Sequence, residues 1–246
     1  MLYKARHSFT MIELLIVIAI IVILAAMLLP ALNKARARGQ SVACVNQLRQ
    51  HGNLFILYGD SYNGKIYMYQ SASGSSKYYS HFLNDGGFVN ARTSPLLVCP
   101  SIRSASTIPL YAPYGIYHPG TEENYYNATF NNAYTKVTDT DGAVYFVLVT
   151  AKLRKASEFF WLADTIKDWL EPSLIGSAPV LNSKTARGFH FRHVHRCNML
   201  YGDGHVSGNS ARELHEELLK NNAKPNSFMT ATTVYRSESP LLVETF

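Results

Sequence analysis

From Phe9 to Leu32 the chain runs for 24 residues in which Glu13 is the one charged side chain. As a helix rising about 1.5 Å per residue this stretch extends roughly 36 Å, enough to cross a hydrocarbon core of about 30 Å. A chain that opens this way is expected to enter a membrane before its remainder folds. A short basic leader with Lys4 and Arg6 precedes the run, and Lys34, Arg36 and Arg38 follow it. Counted alone, these flanking charges favour placing the segment after the span on the cytoplasmic side.

Three arrangements contain such a run. A cleavable secretory signal discards its apolar core at a small-residue site, which Ala25-Ala26-Met27 or Ala31 imitates, but the run is long for that. A plain uncleaved anchor needs no processing site. In the third arrangement the small polar break lies ahead of the apolar run, at Ser8.

Phe9, Thr10, Met11, Ile12 and Glu13, then Leu14-Leu15-Ile16-Val17-Ile18-Ala19, with Pro30 at the twenty-second place after Ser8, carry the third arrangement. The segment resembles the type IV prepilin signal of pilins and type II secretion pseudopilins. The resemblance implies a prokaryotic host, cleavage by prepilin peptidase between Ser8 and Phe9, and N-methylation of Phe9. It further implies a cytoplasmic leader, a single pass through the inner membrane, and a periplasmic or extracellular head, against the bare charge count. Ser8 departs from the usual Gly, which bears on cleavage efficiency. A carboxylate in a bilayer costs roughly 3 kcal/mol on insertion scales, so Glu13 needs a partner or a place near the headgroups. The resemblance supplies the freed amine of a neighbouring subunit, which makes Glu13 an assembly residue rather than a general acid.

Beyond the membrane, Leu32, Ala35, Val42, Val45, Leu48, Phe55 and Tyr58 recur at helical intervals, opposite Lys34, Arg36, Arg38, Arg49 and Gln50. Tyr58-Gly59-Asp60-Ser61 supplies a stop. The chain therefore divides into a leader, 1–8, a long helix, 9–59, spanning the membrane over about 9–32, and a head, 60–246. Pro30 is expected to kink the helix, and Gly39 and Gly52 to weaken it.

In the head, 65–69, 78–82, 96–99, 143–150, 158–163, 189–193 and 198–201 read as strands from their β-branched and aromatic content. The polar stretch 101–136 reads as surface loops, Ser210-Ala211-Arg212-Glu213 as a capping box opening a helix over 210–220, and 221–246 as a tail with a late strand. The expected fold class is α+β and type IV pilin-like, a long helix packed on an antiparallel sheet.

The run from Phe191 to Val206 places nine residues between His193 and Asp203-Gly204. With Arg192, Asn198, Leu200 and His205-Val206 around it and Asp164 upstream, it resembles the C-terminal His, nine residues, Asp-Gly element of a large group of bacterial prepilin-like proteins. Asp203-Gly204 between apolar runs predicts a tight hairpin, with His193 bracing the turn through Asp203. The alternative use is a metal, with His193, His195, Asp203 and His205 as candidates and His190 nearby, although their spacing matches no established zinc pattern. No cofactor is expected. Asp139-Thr140-Asp141-Gly142 reads as a hairpin turn, since the Glu that would complete a calcium loop is missing.

Three cysteines, Cys44, Cys99 and Cys197, cannot all pair within one chain, and a Cys99–Cys197 disulfide is the preferred pairing, with Cys44 buried. No nucleophile elbow or phosphate-cradling loop occurs, so the chain is not expected to be an enzyme. The formal net charge of +6 gathers at 34–38, where anionic headgroups are the expected partner, and at 184–196. There a solvated face is preferred to a nucleic-acid site.

Two functions fit. One is a pilin-like structural subunit of a type II secretion pseudopilus or type IV pilus-like filament, whose partners are prepilin peptidase, other pilin-like subunits through the N-terminal helix, an assembly platform and the inner membrane. The other is a stand-alone membrane-anchored surface or periplasmic binding protein, with metal binding as one use, that keeps the prepilin signal for localisation.

Overall fold

The computed structural model describes residues 10–72, 75–91, 93–101, 114–117, 130, 132–166, 180–181, 188–221 and 235–236. Two compact units result, 1–39 and 40–246.

Helix α1, Met11–Ser61, runs through Pro30. Its first turn is closed by a reciprocal cap: Thr10 N donates to Glu13 Oε2 at 2.8 Å and Glu13 N donates to Thr10 Oγ1 at 3.2 Å. In the first unit the apolar side chains stand open, Met27 72 % and Leu28 66 % exposed, and this part of α1 is long and apolar enough to cross a membrane.

In the second unit the buried face of α1 is Cys44, Leu48, His51, Gly52, Phe55, Tyr58 and Gly59. Its intervals of three and four residues are those of one helical stripe. Leu48, Phe55 and Tyr58 lie where the apolar periodicity puts them. Val42 is exposed, however, because the stripe admits Cys44 and His51, which a count of apolar residues passes over.

Among the described residues three sheets stand where a single one was expected. The first has the order β2-β1-β5-β4, with β1 Lys65–Ala72, β2 Ser75–Tyr78, β4 Tyr134–Thr138 and β5 Val144–Val149, all antiparallel. The second runs β11-β10-β6-β3-β8, with β3 Gly115–Tyr117, β6 Phe160–Ala163, β8 Val180–Leu181, β10 Cys197–Tyr201 and β11 Val206–Asn209; β3 and β8 are parallel. The third is β12-β9-β7, with β7 Thr165–Ile166, β9 Gly188–Phe191 and β12 Tyr235–Arg236. The architecture is α+β and pilin-like, a long N-terminal helix with antiparallel sheets.

Two expected strands are something else. Residues 79–82 open helix α2, Tyr79–Asp85, whose buried residues Tyr79, Ser80 and Leu83 follow a helical rather than an alternating spacing. Residues 95–97 form a 3-10 turn, since Pro95 sits at its start and Ser94 Oγ accepts from Leu96 N at 3.3 Å. The stretch expected as loops contains β3 and β4; most of the rest of it, and most of the tail after Asn221, lie outside the described residues. Helix α3, Ala211–Lys220, opens on the predicted box: Ser210 N donates to Glu213 Oε2 at 2.7 Å and Glu213 N to Ser210 Oγ at 3.3 Å.

The core forms where α1 meets the sheets. Phe55 packs edge-on against Tyr79 and Trp161, at ring separations of 5.4 and 5.6 Å. Gly52 lets α1 approach β10, since a Cβ there would stand 3.2 Å from Leu200 Cδ1. Strand β10, buried at all five residues, lies between β11 and β6, and so delivers the segments before it and before β7 to one place beneath α1.

Candidate functional site

Four side chains from distant parts of the chain meet in that place. Cys44 comes from the inner face of α1, Cys99 from the residues after the 3-10 turn, Asp164 from the step between β6 and β7, and His193 from the turn after β9. They are 0, 2, 1 and 2 % exposed, and one donor atom from each lies within 4.8 Å of the other three.

His193 Nε2 is 3.1 Å from Cys99 Sγ and 3.3 Å from Asp164 Oδ2, while its Nδ1 faces Ser101 Oγ at 3.4 Å. Cys44 Sγ lies 3.8 and 3.7 Å from the two Asp164 oxygens. Around these four, Asn198 N donates to Asp164 Oδ2 at 3.1 Å, and Arg192 Nε stands 3.9 Å from Asp164 Oδ1. The Tyr114 hydroxyl is 3.3 Å from Cys44 Sγ and donates to Gln47 Oε1 at 3.1 Å.

Burial alone would favour neutral forms here. It pushes the Cys99 thiol up, but hydrogen bonds from Cys44 and His193 and the charge of Arg192 outweigh it and bring Cys99 down to about 6. Burial likewise pushes His193 down, but hydrogen bonds to Asp164 and Cys99 win and raise it to about 9. Asp164 stays below its ordinary value, since His193 and Arg192 overcome its burial. Cys44 is pushed far up, by burial first and then by its bond to Cys99. The pairings within the cluster thus work against burial and favour the charged forms of Cys99, His193 and Asp164.

A Cys-His-acid set invites comparison with a nucleophilic triad, in which the acid holds one imidazole nitrogen and the nucleophile the other. Here Cys99 and Asp164 converge on the same nitrogen, Nε2, and all four residues are closed off from solvent. The geometry gathers donor atoms about a point rather than in the line of a triad.

Several expected site residues are placed elsewhere. His193 does not brace the hairpin through Asp203; its ring is taken by Cys99, Asp164 and Ser101. Asp203 Oδ1 instead accepts from His205 N at 3.1 Å and pairs with His205 Nδ1 at 2.5 Å, at the surface. The hairpin itself forms, with Gly204 at φ +86° between β10 and β11. His195 is exposed, so of His193, His195, Asp203 and His205 only His193 enters the cluster. The Cys99–Cys197 disulfide does not form: all three cysteines are free thiols, and Cys197 Sγ donates to the Asp164 carbonyl at 3.4 Å. Asp139 closes its turn as expected, its Oδ1 accepting from Asp141 N and Ala143 N.

The sequence reading missed Cys44 and Cys99 as site residues because neither has a ligand-spaced neighbour in the chain. The available signal was three cysteines with no pairing that uses them all, one of them on a helix face that turns inward. Ser8 and Phe9 lie outside the described residues; Thr10 and Glu13, just after them, form the cap of α1.

Residues 3–29 match the model of the prokaryotic N-terminal methylation motif. No curated protein and no solved structure matches the chain. Over that stretch the chain is similar to prepilins, with a methylation-type signal at the head of an apolar helix long enough to cross a membrane.

Proposed function

We propose that this chain is a pilin-like structural subunit, cut by prepilin peptidase between Ser8 and Phe9, methylated on Phe9, and assembled into a type II secretion pseudopilus or type IV pilus-like filament. The match of residues 3–29 to the methylation motif, running directly into an apolar helix, carries this reading. In it the helix crosses the inner membrane once, with the head on the periplasmic or extracellular side. Its partners are the peptidase, other pilin-like subunits and an assembly platform, and the chain catalyses no reaction of its own. Intact-mass measurement of the membrane-extracted protein tests the processing step. The expected mass lacks residues 1–8 and carries one added methyl; a retained leader overturns the proposal.

One observation favours a stand-alone anchored protein instead. Glu13 Oε2 already accepts from both Thr10 N and Thr10 Oγ1 at 2.8 Å, so its carboxylate is served without a neighbouring subunit. Filament assembly remains the preferred reading because the motif supplies a processed amine that a simple anchor does not use.

A further inference from the structure

We propose that Cys44, Cys99, Asp164 and His193 are the four ligands of a closed, tetrahedral zinc site that fastens the inner half of α1 to the sheets of the head. With Zn–S near 2.3 Å and Zn–N or Zn–O near 2.0–2.1 Å, a tetrahedral site holds its donor atoms about 3.3–3.8 Å apart. The cluster shows 3.1 Å from sulfur to nitrogen, 3.3 Å from nitrogen to oxygen and 3.7 Å from the second sulfur to that same oxygen, with all four atoms mutually within 4.8 Å. Among the described residues no other His, Cys, Asp and Glu side chains gather in this way.

The surroundings agree with a metal. Ser101 Oγ beside His193 Nδ1 can take the N–H of that nitrogen, which leaves the Nε2 lone pair for the ion. Asn198 N–H orients the Asp164 carboxylate at 3.1 Å. Charge closes as well. Two thiolates, one carboxylate and a zinc ion leave one net negative charge, and buried Arg192, ion-paired to Asp164, cancels it. Thiolate and imidazole together favour zinc, the carboxylate argues against copper(I), and four protein ligands leave no open position for a substrate. The site is therefore structural, and it is independent of filament assembly, so either reading can fail alone.

The test uses full-length protein extracted in detergent without chelator. Elemental analysis should find one zinc ion per chain, and cobalt(II) exchange should give thiolate-to-cobalt charge-transfer absorption with the intense visible bands of tetrahedral coordination. Cys44→Ser and His193→Gln should each lose the cobalt signature, while Cys197→Ser, a buried thiol outside the four, should keep it. Because a ligand variant can misfold, the unaltered protein supplies a second readout: chelation should lower its thermal midpoint, and added zinc should restore it. Background metal with no cobalt band overturns the proposal. So does an unchanged cobalt spectrum in Cys44→Ser, or a Cys44–Cys99 disulfide in peptides mapped without reduction.

Discussion

Burial of a neutral imidazole on the inner face of α1 ties the stability of the head to pH. His51 is fully enclosed among Phe55, Tyr79 and Tyr114, its Nδ1 lies 3.2 Å from the Gln47 carbonyl, and its Nε2 has no partner among the described residues. Burial drives its pKa down to about 4 from an ordinary 6.5, the Gln47 bond opposing weakly. Below the ordinary value the unfolded chain takes up a proton that the folded one refuses, so stability falls as pH drops through this window. Between about pH 8 and pH 5 this group alone removes about 2 kcal/mol. Denaturant midpoints of the unaltered protein and of His51→Leu should therefore diverge in their pH dependence, the variant showing the shallower acid slope; parallel slopes would reject the assignment. The sequence did not mark His51, because an inward histidine on a helix differs from an outward one only in what the rest of the chain packs over it.

The turn between β10 and β11 shows two glycines required for different reasons. A Cβ on Gly202 would stand 2.7 Å from Leu153 Cδ2 and 3.0 Å from the Ala156 carbonyl oxygen, and backbone cannot step aside as a side-chain tip can. Gly204 has open space around it but φ +86°, a conformation that costs an L-residue other than Asn or Asp about 1–2 kcal/mol. Gly202→Ala should destabilise by about 1–3 kcal/mol through overpacking. Gly204→Asn should be nearly neutral; thermal midpoints in the reverse order would contradict the packing. At this scale much was legible. The Asp-Gly signal fixed the hairpin, Ser210 and Glu213 fixed the start of α3, and the apolar runs fixed β1, β5, β6 and β10. Residues 79–82 misled because Tyr and Phe suit a strand by composition, while the burial of Tyr79, Ser80 and Leu83 follows the helical interval. Short strands such as β7 and β8, two residues each, carry no periodicity to read.

At the scale of the whole molecule, the proposed assembly turns on Glu13. Its bonds to Thr10 are a local cap, worth about 0.5–2 kcal/mol, at the start of the apolar run. If Glu13 answers the amine of a neighbour, Glu13→Ala should abolish co-sedimentation with sheared filaments while leaving membrane extraction and head stability unchanged. Undiminished co-sedimentation would favour the stand-alone reading. The long helix was legible because it is written in contiguous residues. The buried cluster was legible only in part: Asp164 and His193 stood out by resemblance, but the sequence has no record that Cys44 and Cys99 face them, since sheet order and the close approach at Gly52 bring them there. That dispersal governs how the molecule is born. A ribosome releases Cys44 early and His193 only after most of the head has emerged, so the first thiol waits, unaccompanied, through nearly all of synthesis. If the four side chains take a metal as proposed, whatever keeps that thiol reduced in the interval governs whether they can close around it.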